Sequence, residues 1–343
     1  MQHFRIAEYY LQITCILIFH LPFECRSDEI SNGNPTGSLR KARDSESIIT
    51  YLCTQGRMKE LRTSLHYLFK NFNLKYYYPV VVFHKGDLDN HKAMQYLSKS
   101  LRDEELAVVE IIKADFINDF PPGFDASAAM TEGVIFPEYF PRYHHMCAFW
   151  FRNIYLQTRL KLYNVKYYMR LDSDSVLLAE INYDPFQLMK DKHIAYAYHT
   201  IDGENYCCAK KMMRFIYTYG KSKNLLSQFS PELAWMSNYE TFPLENPLSD
   251  NPPGKQPGTY FANLEIVNVA AFRDDPQVWD FIDSVWNDTL LMIHGLYRYR
   301  WGDSPLRFQV LFCSFLPLKQ AFIYIIKGKK GPKEFNFQYC SVN

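Results

Sequence analysis

Two aspartates one residue apart, Asp172 and Asp174, follow an aromatic and apolar run at residues 167–171. Alternate side chains of a strand share a face, so both carboxylates would point the same way if the strand continued through them. Paired carboxylates suit a hard divalent ion such as Mn²⁺ or Mg²⁺, which can in turn hold a diphosphate. Aspartate and serine are also typical of a solvated turn. This short motif alone does not decide between a metal site and a turn.

A third carboxylate, Glu265, interrupts another apolar run at residues 260–268. Burying a carboxylate is costly unless it is paired, so Glu265 is expected either to alternate out to solvent or to have a functional role. Further along, residues 299–305 place Arg300 and Asp303 in a tight turn. Acids that could do chemistry therefore occur in three separate segments of the chain.

The elements that must position these acids alternate between strands and helices. Apolar and β-branched runs predict strands at residues 48–53, 79–83 and 106–112, and the continuous apolar run of the second is typical of a buried parallel strand. Apolar residues spaced by three or four predict an amphipathic helix at 57–72, and another helix is expected near 89–101. This order predicts a mostly parallel sheet covered by helices. Ligands of such sheets gather at the carboxyl edge, where the aspartate pair is expected.

The remainder of the chain is less regular. Residues 114–143 carry several Pro and Gly and are predicted to form a long loop over the sheet. The Pro-rich residues 230–257 are predicted to form a surface loop or, in a functional role, a lid or acceptor platform. The basic residues 326–333 are predicted to be a solvated loop. Further helices are expected at 146–162, 210–219 and 276–286, and further strands at 167–171 and 194–199.

Composition is that of an ordinary globular protein. Of the 343 residues, 48% are hydrophobic and 22% are charged, and the net charge of +1 gives no reason to expect nucleic-acid binding. Eight cysteines are too few for a disulfide scaffold but permit a few bridges in a secreted or lumenal chain. The sequence lacks the patterns of dinucleotide-binding folds, phosphate-binding loops, zinc metalloproteases and serine hydrolases, which excludes most members of those classes.

The N-terminal residues 1–26 are predicted to be a signal peptide or a short signal-anchor. Their apolar run, residues 9–23, is short for a membrane span but suits the hydrophobic part of a signal. A buried element of a cytosolic domain is the alternative. Residues 27–47 are polar and typical of a flexible stem, so the globular domain is predicted to span 48–343. The sequon at Asn287 fits a lumenal chain.

Several motifs, taken in order, resemble those of the fungal α-1,2-mannosyltransferases of glycosyltransferase family 15. From the N-terminal side they are Phe72-Asn73, Tyr78-Pro79, Tyr143-His144-His145-Met146-Cys147, Arg170 to Asp174, Ile181-Asn182-Tyr183-Asp184, Asn263-Leu264-Glu265-Ile266 and Arg300-Trp301-Gly302-Asp303-Ser304-Pro305. The resemblance runs from about residue 48 to about residue 316. It implies a GT-A-like α/β fold, a single large domain with a mixed, mostly parallel sheet flanked by helices.

The same resemblance implies an activity and a location. Family members transfer mannose from GDP-mannose to mannosylated glycoproteins or glycolipids, with Mn²⁺ and with retention of anomeric configuration. The implied location is the Golgi or another secretory-pathway lumen, as a type II membrane protein or a secreted one. Membrane association would then involve the N-terminal segment alone.

The resemblance also implies catalytic and substrate-binding roles. Glu265 corresponds to the carboxylate near the reacting sugar, as a nucleophile or as a stabiliser of an oxocarbenium-like state. Asp303 corresponds to the acid of the Trp-Gly-Asp turn and is expected to contact donor or acceptor hydroxyls. Arg170 is expected to face phosphate or to help hold the acids. The expected substrate-binding residues are Tyr143, Arg170 and Trp301.

The implied metal site departs from the family pattern in two ways. Asp172 stands where the family has a glutamate, and no histidine follows His294, although the family has a metal-binding histidine beyond the Trp-Gly-Asp turn. Asp172 and Asp174 would then hold Mn²⁺, or another divalent metal, together with water and the diphosphate. Two alternatives remain open: a GT-A enzyme with another donor, and a degenerate glycan-binding or scaffold homologue without turnover.

Overall fold

A computed structural model of the protein describes residues 45–205, 208–228, 236–237, 239–241, 257–313, 320–325, 334–335 and 337–341, with side chains as far as residue 311. The predicted signal or anchor, nearly all of the predicted stem, most of residues 230–257 and the basic residues 326–333 lie outside this part of the chain. Within the described residues, no helix combines the length and apolar character needed to cross a membrane.

One mixed sheet is the centre of the described chain. The strands, in chain order, are β1 (Ser47–Leu52), β2 (Val80–His84), β3 (Val109–Lys113), β4 (Tyr167–Leu171), β5 (Val176–Leu177), β6 (Tyr196–Tyr198), β7 (Ile201–Gly203), β8 (Gly258–Tyr260), β9 (Leu264–Asn268), β10 (Gln320–Ile325), β11 (Glu334–Phe335) and β12 (Phe337–Ser341). Eight strands form the main sheet in the spatial order β12-β10-β6-β9-β4-β1-β2-β3. Strand β9 runs antiparallel to β4 and β6, and β12 runs antiparallel to β10, whereas the other neighbours are parallel. The predicted mixed, mostly parallel sheet is confirmed.

Helices flank this sheet. In chain order they are α1 (Met58–Leu68), α2 (Leu74–Tyr76), α3 (Asn90–Leu97), α4 (Asp103–Leu106), α5 (Ala126–Glu132), α6 (Arg142–Phe151), α7 (Thr158–Leu162), α8 (Pro185–Lys192), α9 (Met212–Ser222), α10 (Val269–Arg273), α11 (Pro276–Asn287), α12 (Gly295–Arg298) and α13 (Asp303–Cys313). Side chains that cap the first turn fix where several of these helices begin. At α11, for example, the Asp275 side chain accepts hydrogen bonds from the backbone N–H groups of Gln277 and Val278, and Pro276 occupies the first turn.

Side chains alternate between the two faces of the sheet along its central strands, and the core therefore consists of two clusters, one on each face. On β4, Tyr168 packs into the cluster that contains helices α6, α9, α11 and α13. Its neighbour Met169 packs into the opposite cluster, with helices α1, α3 and α8. Arg170 alternates back to the face of Tyr168 and lies opposite Glu265 of β9 in the strand register. The two charged side chains therefore meet inside the sheet-helix interface.

Several boundaries differ from those predicted. The predicted helix at 146–162 begins earlier, as α6, and then breaks into a 3₁₀ turn at Asn153–Leu156 followed by the short α7. The apolar run at 260–268 holds the end of β8 and all of β9, which the turn at residues 261–263 separates. The loop at 114–143 contains α5, whose first turn is capped by the Asp125 side chain.

Candidate active site

The aspartate pair lies on a turn at the carboxyl edge of the sheet. Strand β4 ends at Leu171, and the Ser175 N–H donates to the Asp172 carbonyl oxygen at 2.9 Å, which closes the turn. The carbonyl oxygen of Asn263 accepts from the Asp172 N–H at 3.1 Å and from Ser175 Oγ at 3.3 Å. The two aspartates therefore do not continue the strand. Asp172 is partly buried and Asp174 is exposed.

Arg170 joins three acids that are distant in sequence. Its Nε and Nη2 lie 3.2 and 3.1 Å from Oδ1 of Asp172, and its Nη1 lies 2.5 Å from Oδ2 of Asp303. The same Nη1 is 3.7 Å from Oε1 of Glu265. The guanidinium lies over the Trp150 ring at 4.4 Å, and only 4% of the Arg170 side chain is exposed. In this arrangement Arg170 holds the acids together.

Glu265 is completely buried, and a second arginine accompanies it. Tyr196 donates its hydroxyl to Oε2 of Glu265 at 2.6 Å, and Nε of Arg307 lies 3.5 Å from the same oxygen. The alternative in which Glu265 alternates out to solvent is therefore wrong. Arg307 was not predicted from the sequence, although it is the one charged residue in the apolar run at 305–313. That isolated charge was the signal available.

The cluster carries more negative than positive charge. Arg170 and Arg307 face Asp172, Asp303 and Glu265, with Asp174 close by in the turn. Burial raises the pKa of Asp172, and repulsion by Asp303 and Asp174 raises it further, against the opposing effect of Arg170. Burial alone would lower the pKa of Arg170, but the carboxylates raise it above its ordinary value. An added cation beside Asp172 would reduce this imbalance.

The Trp-Gly-Asp turn delivers Asp303 to the cluster from the start of α13. Trp301 is fully buried, donates its Nε1 hydrogen to the carbonyl oxygen of Lys210 at 2.8 Å and packs edge-on against Phe215. Its indole lies so close to Gly295 that a Cβ atom there would come within 2.2 Å of the ring. In this structure Trp301 anchors the turn, and its predicted contact with substrate stays a prediction.

Tyr143 reaches the same region through Arg300. The Arg300 guanidinium stacks over the Tyr143 ring at 4.3 Å, and its Nη1 donates to Sγ of Cys208 at 3.0 Å. Tyr143 is partly exposed, on the first turn of α6. The structure thus brings Arg170, Asp172, Asp303 and Glu265 into direct contact, whereas Tyr143 contacts Arg300 at the side.

No three histidine, cysteine, aspartate or glutamate side chains converge as a metal site in the part of the chain that the structure describes. Asp172 and Asp174 offer carboxylate oxygens, which suit Mn²⁺ or Mg²⁺. The excess of acids around Asp172 favours a cation at this position. These two residues fit a divalent ion only if water and a bound diphosphate complete its coordination.

Comparison with known proteins shows which family the chain belongs to. The profile described as "Glycolipid 2-alpha-mannosyltransferase" matches residues 23–326 of the chain. The chain belongs to this family. The resemblance to fungal α-1,2-mannosyltransferases is thereby confirmed.

Curated relatives in the glycolipid 2-α-mannosyltransferase family are distant. O-glycoside α-1,2-mannosyltransferase homolog 5 of Schizosaccharomyces pombe is 23% identical over 266 residues, which cover 71% of this chain and 60% of the relative. Glycolipid 2-α-mannosyltransferase 1 of Candida albicans is 27% identical over 207 residues, which cover 58% of this chain and 43% of the relative. The chain therefore spans less than two thirds of the length of these relatives.

Solved structures show the same fold. The mannosyltransferase Ktr4p of S. cerevisiae in complex with GDP aligns with a TM-score of 0.68 at 18% identity, over 91% of this chain and 77% of that one. Core-mannan synthase A of Aspergillus fumigatus, in a Mn/GDP form, aligns with a TM-score of 0.62 at 18% identity, over 78% and 70% of the two chains. At this identity the likeness establishes the GT-A-like fold, as predicted.

Proposed function

We propose that the protein is a retaining α-1,2-mannosyltransferase that transfers mannose from GDP-mannose to mannosylated glycans of glycoproteins or glycolipids. The observation that carries this proposal is the cluster at the carboxyl edge of β4, where Arg170 joins Asp172, Asp303 and Glu265 in a chain of the glycolipid 2-α-mannosyltransferase family. The GDP and Mn/GDP complexes of proteins with the same fold support a GDP-linked donor and Mn²⁺.

Asp172 and Asp174 are the residues that would hold the metal. Both contacts from Arg170 go to Oδ1 of Asp172, so Oδ2 is the oxygen that these contacts leave to an ion. When bound, Mn²⁺ would offset the charge of the diphosphate leaving group as a Lewis acid. Arg170 keeps Asp172 in place and adds a positive charge at the same edge.

Glu265 is the carboxylate proposed to act on the reacting sugar, and Asp303 is proposed to contact donor or acceptor hydroxyls. Because Glu265 is fully buried, a sugar can reach it only when a covering side chain moves. The charged group nearest to Oε1 of Glu265 is Nη1 of Arg170, at 3.7 Å, and Arg170 lies one residue before the end of β4. Tyr143 and Trp301 complete the proposed substrate-binding set, with Tyr143 the more accessible of the two.

The proposed location is the Golgi or another compartment of the secretory pathway, as a type II membrane or secreted protein. Support comes from the apolar run at residues 9–23 and from Asn287, which is exposed at the end of α11 and so accessible to glycosylation. Membrane association is proposed to involve only the N-terminal segment, and no nucleic acid is proposed as a partner.

A screen of donors and metals tests the proposal. Thermal shifts are measured with GDP-mannose, GDP-fucose and UDP-sugars, each with and without Mn²⁺, and transfer to a mannoside acceptor is then assayed. We expect GDP-mannose with Mn²⁺ to give the largest shift and to support transfer. A larger shift with another donor would favour a different GT-A activity, and donor binding without transfer would favour a degenerate homologue.

A further inference from the structure

The two oxygens of the Glu265 carboxylate have different surroundings. Oε2 accepts the Tyr196 hydroxyl at 2.6 Å and lies 3.5 Å from Nε of Arg307. Oε1 receives no hydrogen bond from any residue that the structure describes, and its nearest charged neighbour is Nη1 of Arg170 at 3.7 Å. A buried carboxylate oxygen without a hydrogen bond destabilises the fold, so a functional explanation is sought for the difference between Oε1 and Oε2.

Arg307 is itself fixed from three directions. Its Nη1 donates to the hydroxyls of Tyr155 at 3.1 Å and Tyr168 at 2.9 Å, and its Nη2 donates to the carbonyl oxygen of Trp150. These partners come from a 3₁₀ turn, from β4 and from α6. Only 1% of the Arg307 side chain is exposed. Such a guanidinium cannot follow a moving carboxylate, so it presents a fixed positive charge 3.5 Å from Oε2, although its Nε makes no hydrogen bond to any residue that the structure describes.

Tyr196 contributes the second fixed contact. It lies on β6, which pairs with β9 so that Tyr198 is opposite Glu265. The Tyr196 ring packs between other aromatic rings, at 4.8 Å from Tyr260 and 6.1 Å from Phe272, and no part of it is exposed. Its hydroxyl therefore has a set position, and Glu265 is held by groups from a strand and a helix at once.

We infer that Tyr196 and Arg307 are positioning residues for Glu265. Tyr196 holds Oε2 by a hydrogen bond and Arg307 by its fixed charge, which leaves Oε1, on the side of Arg170, as the oxygen that meets the reacting sugar. This inference rests on the proposed mannosyl transfer. It holds whether Oε1 attacks the anomeric carbon or stabilises its developing charge, because both need an oxygen in a fixed place.

The test compares Tyr196→Phe with Tyr51→Phe as a matched control. Tyr51 is also fully buried on a central strand, and its hydroxyl is hydrogen-bonded to Oγ of Ser64 at 3.0 Å, on the opposite face of the sheet. A hydrogen bond to a charged group corresponds to roughly a ten- to hundredfold change in rate, so Tyr196→Phe is expected to lower kcat by that factor. The KM for GDP-mannose should stay unchanged, and Tyr51→Phe should keep the wild-type kcat.

Two further variants separate positioning from packing. In a Glu265→Gln background, Tyr196→Phe should lower kcat no further, because the hydroxyl acts through the carboxylate. Arg307→Lys keeps the charge but loses the planar fork, so it should lower kcat while the thermal shift with GDP and Mn²⁺ remains. Equal kcat values for Tyr196→Phe and Tyr51→Phe, in a protein that transfers mannose, would overturn the positioning role alone. If the wild-type chain neither binds GDP-mannose nor transfers mannose, the proposed function fails and the positioning role fails with it.

Discussion

Replacing Asp172 by asparagine should separate the chemistry of the site from its stability. The side chain keeps its shape, and the remaining oxygen can still accept from Arg170, whose Nε and Nη2 lie 3.2 and 3.1 Å from Oδ1. What is lost is the negative charge. The variant therefore removes a metal-binding carboxylate from the proposed active site while changing its packing very little.

The structure indicates a small cost in stability. A third of the Asp172 side chain is exposed, which screens its attraction to Arg170. Burial and the neighbouring acids already raise the pKa of Asp172, so its charge is not strongly favoured in the fold. We expect a loss of about 1 kcal/mol or less in the free energy of unfolding, a change in Tm of about 2–4 °C at most. Loss of the metal should lower kcat/KM at least about a hundredfold.

The change in kcat/KM is measured as mannose transfer from GDP-mannose, and the change in stability by thermal unfolding. Both are measured on the same preparations, with and without Mn²⁺. Asp274→Asn is the control, because Arg273 contacts Asp274 through Nε at 2.6 Å and Nη2 at 2.9 Å on the surface, away from the acid cluster. It should leave Mn²⁺-dependent transfer intact. Full Mn²⁺-dependent transfer by Asp172→Asn would refute the metal-site assignment, and a stability loss above about 3 kcal/mol would show that the residue is mainly structural.

Two further predictions concern stability. Gly295→Ala would place a Cβ within 2.2 Å of the Trp301 indole, so it should lower the free energy of unfolding, measured in urea, by about 1–3 kcal/mol or more. Gly56→Ala is the control, because a Cβ there meets no atom within 4 Å, and it should change the free energy of unfolding little. Equal effects of the two substitutions would contradict the packing at Gly295. Burial lowers the pKa of three histidines from 6.5 to about 4, namely His144, His145 and His199. The unfolded chain binds these protons first as the pH falls below about 6.5, so stability present above that pH should be lost towards pH 4. Tm should fall between pH 7 and 5, less steeply in His144→Phe; a flat profile would count against neutral buried histidines.

The sequence predicted strands β1 to β4 and β6 of the main sheet because their apolar runs are bounded by turn residues, whereas β9, β10 and β12 were not predicted. Strand β4 matches the predicted residues 167–171, since an aromatic run stops at a charged turn. Helix α6 was placed too late because its aromatic residues lack a clear polar face, and seven of its ten residues are buried. The helix at Asp303–Cys313 was not predicted, because residues 305–313 are apolar except for Arg307 and Gln309 and so lack the polar face by which an amphipathic helix is recognised.

The candidate site could be predicted only in part. Sequence patterns pointed to Asp172, Asp303 and Glu265, and the resemblance to a family implied their roles; the structure brings them together around Arg170. Arg307 was missed because its partner, Glu265, comes from a different segment, and pairing across a sheet-helix interface leaves no local pattern in sequence. The prediction of a shared strand face for Asp172 and Asp174 depended on where β4 ends, which is decided by the turn that the Ser175 N–H closes on the Asp172 carbonyl oxygen.

Mannose transfer by the full-length protein is the most direct test of the central claim. GDP-mannose and a mannoside acceptor are incubated with the protein, with Mn²⁺ or with a chelator, and the linkage of the product is determined. We predict an α-1,2-linked mannose in the product, formed with Mn²⁺, lost with the chelator and strongly reduced, to a residual measurable rate, in Glu265→Gln. Absence of both donor binding and transfer, or equal transfer by Glu265→Gln, would contradict the account.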